Sequence, residues 1–290
     1  MLNNEATVDQ KMVSFLTHSL SNMLGTAPEA ARQAIRLLSS EDYEKNIAHY
    51  QAINNISSVL TTFSVVDNLI QTFKQYTTSP DIFQLSWHQD NQGNGSIEFV
   101  IVFALRQTIS RIFFQSAATH VKELLPSATE LNLKKLRHSF IDEIIGLDLT
   151  PDNAQLILAW LKQHFDIFVF DLDAAKDIHF ADKGTRFTSL FSIFSELIYN
   201  ALKYGNGNAP IQLVWGLETD TYYLTCSNRF NPDLRYRKQG SGKGLEFIEG
   251  IMKQLENSKC SYREQGDTFT VKLSFAKTLF EENSHENHLD

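Results

Sequence analysis

Apolar residues recur every three or four positions through the first quarter of the chain. This spacing predicts two long α-helices, with apolar faces over residues 8–38 and 47–73 and a short turn at residues 39–42. An antiparallel helical hairpin cannot bury such wide apolar faces by itself. We therefore expect residues 1–79 to form a homodimeric four-helix bundle, with packing against the rest of the same chain as the alternative.

The pattern changes after residue 80. Phe83, Leu85 and Trp87 alternate with polar residues, which predicts a β-strand. Helical spacing then predicts helices over residues 97–115, 131–145 and 151–165, followed by a strand over residues 167–170. The helical segment 97–165 indicates no function, and it is either a docking surface or extra packing on the neighbouring domain.

Residues 188–204 again have helical spacing, and Gly205 ends the pattern. Two alternating segments with turns at residues 218–220 and 266–267 predict two β-hairpins, separated by a glycine-rich loop and a helix. This order predicts an α+β chain whose second domain, residues 80–277, is an α/β sandwich with a mixed sheet on one side. The charged composition of residues 278–290 predicts a disordered tail.

Composition restricts the function further. The chain has 290 residues, 42% of them hydrophobic, which is typical of a soluble globular protein with room for two domains. A net charge of -8 argues against nucleic-acid binding. We find no signal peptide and no apolar run long enough to span a membrane. Cys226 and Cys260 lack metal-ligand spacing and predict free thiols in the cytoplasm, with a disulfide as the alternative.

The stretch GSGKGL, residues 240–245, is the first candidate for chemistry. Glycines let a backbone approach a polyphosphate closely, and the following helix N-terminus offers free N–H groups. A Walker-type loop needs a glycine five residues before the Gly-Lys pair and Ser or Thr after it, but Arg237 and Gly244 occupy those positions. A dinucleotide fingerprint needs its third glycine one position later. A flexible surface loop is the alternative to a phosphate-binding loop.

The helix before the first hairpin carries Glu196, Asn200 and Lys203 on one face. An amide oxygen suits Mg²⁺, which prefers oxygen ligands and shares its coordination shell with phosphates. Lys203 is able to neutralise phosphate charge. The alternative is the solvated polar face of an ordinary amphipathic helix.

The combination is more specific than either part. ELIYNALKY at residues 196–204, a strand pair and then GSGKGL resemble the N box and second glycine box of the GHKL ATPase superfamily. The fit is best to the catalytic domain of sensor histidine kinases, over residues 190–275. The resemblance implies a Bergerat-type sandwich that binds Mg-ATP, with Glu196 and Asn200 at the metal. It implies nucleotide contacts from Asn200, Lys203, Tyr204, Gly240, Gly242, Lys243, Gly244 and Leu245.

A histidine kinase carries a phosphoacceptor histidine on an upstream helical hairpin, and FLTHSLSNML at residues 15–24 resembles such an H box. The resemblance implies that His18 accepts the γ-phosphoryl group and passes it to an aspartate in the receiver domain of a response regulator. A neutral imidazole is a competent nucleophile near pH 7. Since 17 residues precede His18, we expect either that a separate sensor protein delivers the signal or that this chain is the output part of something larger. An ordinary structural histidine is the alternative.

Two positions depart from the family pattern. Ser19 replaces the usual acidic general base after the histidine, while Asn22 matches the position used to orient water for phosphatase action. The Asp-x-Gly-x-Gly box that reads adenine is missing, and Asn228 stands where its aspartate is expected. These departures leave an alternative, a histidine phosphotransferase or signalling scaffold that relays phosphate without ATP. A GHKL ATPase unrelated to histidine phosphorylation is a third possibility.

Overall fold

The computed structural model describes the greater part of residues 80–281. The described ranges are residues 80–90, 92–115, 129–140, 150–165, 167–181, 184–230 and 243–281, with isolated positions between residues 52 and 147. The predicted hairpin, including His18, Ser19 and Asn22, therefore lies outside the described residues, apart from a few isolated positions. No described helix is long and apolar enough to cross a membrane.

The described residues form an α+β domain with six α-helices and seven strands. The helices are α1 Pro80–Gln89, α2 Ile97–Gln115, α3 Glu130–Phe140, α4 Pro151–His164, α5 Thr185–Tyr204 and α6 Lys243–Met252. The strands are β1 Gly95–Ser96, β2 Phe168–Asp171, β3 His179–Phe180, β4 Ile211–Glu218, β5 Thr221–Arg229, β6 Lys259–Gln265 and β7 Thr268–Ala276. Strands β1 and β3 pair with each other.

The main sheet has five strands in the order β2-β4-β5-β7-β6. Strand β2 is parallel to β4, and all other neighbours are antiparallel, so the sheet is mixed as predicted. Both predicted hairpins are confirmed. Thr219 and Gly266 adopt positive φ values of 52° and 63° at their turns, the left-handed backbone that tight connections require.

One face of the sheet is buried beneath the helices. Alternate residues of the three central strands are buried, which is the period expected when one face of a sheet packs on a core. These inward residues are Leu213, Trp215, Leu224, Cys226, Val271, Leu273 and Phe275. Both cysteines are free, as predicted, and burial raises the pKa of Cys226 to about 12 and that of Cys260 to about 11.

Helix α2 packs along α5 and is buried on nearly all sides over its first half. The ring centroids of Phe99 and Phe187 are 5.6 Å apart, and the Ser195 hydroxyl donates to Gln107 Oε1 at 3.2 Å. A helix that is apolar on all sides belongs inside a protein. Helix α2 is therefore part of the core of the domain.

The predicted strand around Phe83 is wrong, because these residues form α1. Phe83 and Trp87 are both buried and lie one helical turn apart, whereas Leu85 between them is 59% exposed. Pro80 starts the helix and Asp81 stands in its first turn, both favourable helix-start positions. In a strand, all three side chains would lie on the same face. In a helix, only Phe83 and Trp87 share a face, and this is the burial that the structure shows.

The ordered chain extends past residue 277. A 3₁₀-helix, Lys277–Leu279, follows β7, and Leu279 is buried. The backbone carbonyl of Leu279 accepts a hydrogen bond from Trp87 Nε1 at 2.9 Å, so α1 and the end of the sheet are fastened together. The prediction of disorder from residue 278 is therefore wrong for residues 278–281, because the apolar side chain of Leu279 completes the core. Residues 282–290 lie outside the described residues.

Candidate functional site

Helix α5 presents a partly buried polar ridge, defined here as Glu196, Asn200 and Lys203. The amide nitrogen of Asn200 donates to Glu196 Oε1 at 3.3 Å, so the amide oxygen of Asn200 is left to accept other partners. The Nζ of Lys203 stands 5.2 Å from the ring centroid of Tyr204. The other sides of helix α5 are buried against the sheet and α2.

The start of α6 lies directly against this ridge at Gly244. A Cβ added to Gly244 would overlap Glu196 Oε1 and come within 2.8 Å of Asn200 Nδ2. The backbone therefore comes so close to the carboxylate and the amide that any larger residue would displace the ends of both side chains. Of the neighbouring loop residues, Leu245 packs against the core and Lys243 begins the helix. Gly240 and Gly242 lie outside the described residues.

Asn228 lies near the end of β5 and is only 5% exposed. It is in phase with the buried residues Leu224 and Cys226, so its side chain is on the face that packs against the helices. Its Nδ2 donates a long hydrogen bond of 3.4 Å to the Arg229 carbonyl. The amide oxygen of Asn228 is an acceptor, to which the donors of a ligand would bind.

The end of β5 is fastened to the end of α5. Phe230 forms an antiparallel bridge with Gly205, and Asn206 N donates to the Arg229 carbonyl at 3.1 Å. Asn228 is thereby held near the C-terminal end of the helix that carries the polar ridge. The described residues thus place Glu196, Asn200 and Gly244 in contact, with Asn228 near the C-terminal end of the same helix.

The polar ridge is electrostatically unusual. Burial raises the pKa of the Glu196 carboxyl above its ordinary value. The positive charges of Arg111 and Lys203, and the hydrogen bond from Asn200, oppose this increase. An ionised carboxylate held partly away from water attracts a cation more strongly than an exposed one does.

The chain is similar to solved histidine kinases at low sequence identity. No protein-family model matches the chain, and no curated protein matches its sequence. Among solved structures, the histidine kinase AdeS of Acinetobacter baumannii is 14% identical with a TM-score of 0.38, covering 90% of this chain and 98% of that one. The catalytic domain of the histidine kinase ThkA is 17% identical with a TM-score of 0.31, covering 51% and 95%. Both of these neighbours are histidine kinases.

Arg111 is a residue of the site that the sequence did not indicate. It lies on α2, and its guanidinium carbon is 3.6 Å from the ring centroid of Tyr199 on α5. Tyr199 directly precedes Asn200, so the arginine comes to the ridge from the inserted helix. The sequence shows only an arginine in an apolar helix, and no local spacing connects it with the polar ridge.

Proposed function

We propose that the chain is an ATP-dependent histidine kinase that autophosphorylates His18 and transfers the phosphoryl group to an aspartate of a response regulator. The observation that carries the proposal is the contact of Gly244 with Glu196 and Asn200. It joins the two segments that resemble the N box and the second glycine box. Neither a solvated helix face nor a flexible surface loop requires such a close approach.

The residues of the polar ridge fit Mg-ATP. The Glu196 carboxylate and the amide oxygen of Asn200 are hard oxygen ligands, the type that Mg²⁺ prefers when phosphates complete its shell. Among the described residues no three His, Cys, Asp or Glu side chains converge, so the protein would supply only part of that shell. Bound Mg-ATP supplies the phosphoryl group and the charge that stabilises its transfer. Lys203 and the backbone at Gly244 would hold the phosphates, and Asn228 the adenine.

The remaining parts of the proposal concern partners. A homodimer through residues 1–79 would present His18 to the nucleotide site, and a receiver domain would then dock on the same bundle. Asn22 would orient water for a phosphatase reaction. A separate sensor protein would supply the signal, and the proposed location is the cytoplasm.

The decisive test is incubation of the full-length protein with γ-labelled ATP and Mg²⁺, beside His18→Gln and Asn200→Ala. We expect acid-labile, base-stable label in the wild type and its loss, by about a hundredfold or more, in both variants. His49→Gln and Asn132→Ala are the matched controls, because His49 lies in the same predicted hairpin and Asn132 is exposed on α3. Both controls should keep the label.

The same experiment addresses the alternative function. Asn228 provides a weaker partner for adenine than a carboxylate would, which favours a phosphotransferase or scaffold that works without ATP. Absence of label together with absence of ATP binding in calorimetry would rule out the kinase. Transfer from a phosphorylated receiver domain to His18 would then establish the phosphotransferase. Label that persists in His18→Gln would instead indicate another acceptor.

A further inference from the structure

The polar ridge of α5 has a neighbour on each side. Gly244 of α6 abuts it on one side, and α2 packs along the helix on the other. Arg111 is the residue of α2 whose cation lies on Tyr199, at 3.6 Å from the ring centroid. Tyr199 is three residues after Glu196 and one before Asn200, so the guanidinium is beside the ridge.

The guanidinium of Arg111 has one donor, Nε, that lacks a partner among the described residues. Stacking on an aromatic ring engages the face of the group and leaves the N–H donors at its edge unused. The Nε of Arg111 is buried and has no hydrogen-bond partner within the described part of the chain. An arginine in this position is suited to bidentate contact with a phosphate group.

The direction of the nucleotide along α5 follows from the positions of Asn228 and Glu196 relative to that helix. Asn228, the proposed adenine contact, is held at the C-terminal end of α5 through the bridge between Gly205 and Phe230. At 1.5 Å per residue, Glu196 lies about 14 Å back along the helix axis from Gly205. A nucleotide whose base lies at Asn228 therefore extends its last phosphate towards Glu196, where Arg111 stands.

We infer that Arg111 binds the terminal phosphate of the triphosphate and makes the site prefer ATP over ADP. The carboxylate of Glu196 would otherwise repel that phosphate, and a cation beside it offsets the repulsion. The inference rests on the proposed nucleotide site but goes beyond it, since it assigns a binding role to the inserted helix α2.

The test is calorimetric titration of the full-length protein with Mg-ATP and with Mg-ADP. In Arg111→Gln we expect the Kd for ATP to rise about ten- to a hundredfold, as for the loss of a charged hydrogen-bonded contact. The Kd for ADP should change by less than about threefold. Arg111→Lys keeps the charge but not the paired donors, so its ATP affinity should be intermediate.

Arg106→Gln is the matched control. Arg106 lies on the same helix, but its guanidinium is 5.5 Å from the Phe103 ring centroid and donates to the Leu147 carbonyl. This variant should leave the ratio of the two affinities unchanged. Circular dichroism and urea midpoints check that each variant is folded.

Three results would overturn the inference. Equal weakening of ATP and ADP binding in Arg111→Gln would indicate a structural role, and unchanged binding of both would indicate no role. In both cases the wild type still binds nucleotide and the proposed function stands. A folded wild type that binds neither nucleotide would remove the proposed site and this inference with it.

Discussion

The two ends of α5 carry charged side chains in opposite surroundings. At the N-terminal end, Arg186 is fully buried, and its Nε donates to the Trp87 carbonyl. Towards the C-terminal end, Glu196 and Asn200 are only partly buried. Helix α1 covers the first end, whereas the start of α6 lies against the second at Gly244.

The buried end is fixed by contacts within the domain. Asp90 Oδ2 accepts the backbone N–H of Arg186 at 3.1 Å and caps the helix, since Gly184 has no side chain to do so. Burial lowers the pKa of Arg186 to about 10, an effect that Asp90 opposes, so the guanidinium remains charged at neutral pH. Both of its terminal nitrogens lack a partner among the described residues.

The difference shows that a charge on an apolar helix does not by itself identify a site. Arg186 is enclosed by its own domain and has no route to a ligand. The polar ridge is partly exposed and includes the amide oxygen of Asn200 as an acceptor. Gly244 of α6 brings the opposing backbone close to it. Substitutions at the N-terminal end of α5 should therefore change stability, whereas substitutions at the polar ridge should change nucleotide binding.

Arg186→Ala should give the largest change in stability. It removes a buried side chain and leaves the Trp87 carbonyl without its partner, so we expect a loss of about 3 kcal/mol in the free energy of unfolding. Urea denaturation measures this loss, and calorimetry on the folded fraction should show an unchanged Kd for Mg-ATP. Arg186→Met, which keeps most of the volume, should lose less. A variant that keeps its stability but no longer binds ATP would break the comparison.

Gly244→Ala should produce the converse result. The added Cβ overlaps Glu196 and approaches Asn200, so we expect the Kd for Mg-ATP to rise about tenfold or more. The stability change should stay within about 1–2 kcal/mol, because higher helix propensity partly offsets the overlap. Calorimetry and urea denaturation measure the two quantities.

Gly216→Ala is the control for crowding. A Cβ there would overlap the hydroxyl end of Tyr223 on the neighbouring strand, well away from the polar ridge. This variant should lose stability without any change in nucleotide affinity. If it weakens ATP binding as much as Gly244→Ala does, the effect of Gly244 is not local to the site.

The sequence predicts the ridge end of α5 well because its signals are local. Glu196 and Asn200 are one turn apart on a helix of regular period, and both hairpins follow from alternation and turn residues. The contact of Gly244 with these residues follows only from the family resemblance, since the glycine loop and the helix are separated by a hairpin. The conformation of Gly240 and Gly242 lies outside the described residues.

The buried end could not be predicted, because its partners are distant in sequence. Trp87 packs near Phe280 and donates to the Leu279 carbonyl, and this long-range burial is what makes α1 a helix. The approach of Arg111 to Tyr199 depends in the same way on how α2 packs against α5. Periodicity shows which face of an element is apolar, but not which element covers it.

Glu196→Gln should give the smallest change in stability, and its sign depends on pH. Because the pKa of Glu196 is raised, the folded protein binds a proton more tightly than the unfolded chain does. Stability is therefore lost as pH rises from the ordinary glutamate pKa of about 4.3 through the raised value. Glutamine does not ionise, so Glu196→Gln should be more stable than the wild type at pH 7. The difference in the free energy of unfolding should shrink towards pH 4.

Urea denaturation at several pH values measures this advantage, and a double-mutant cycle with Arg111→Gln sharpens it. The cation at Arg111 favours ionised Glu196, so removing it should enlarge the stabilisation that Glu196→Gln brings at pH 7. Glu196→Gln should also reduce labelling from ATP by about a hundredfold, because the carboxylate is lost from the proposed metal site. Higher stability with lower activity is the combination expected of a residue retained for binding. A Glu196→Gln variant that is less stable than the wild type at pH 7 would show instead that Glu196, like Arg186, has a structural role.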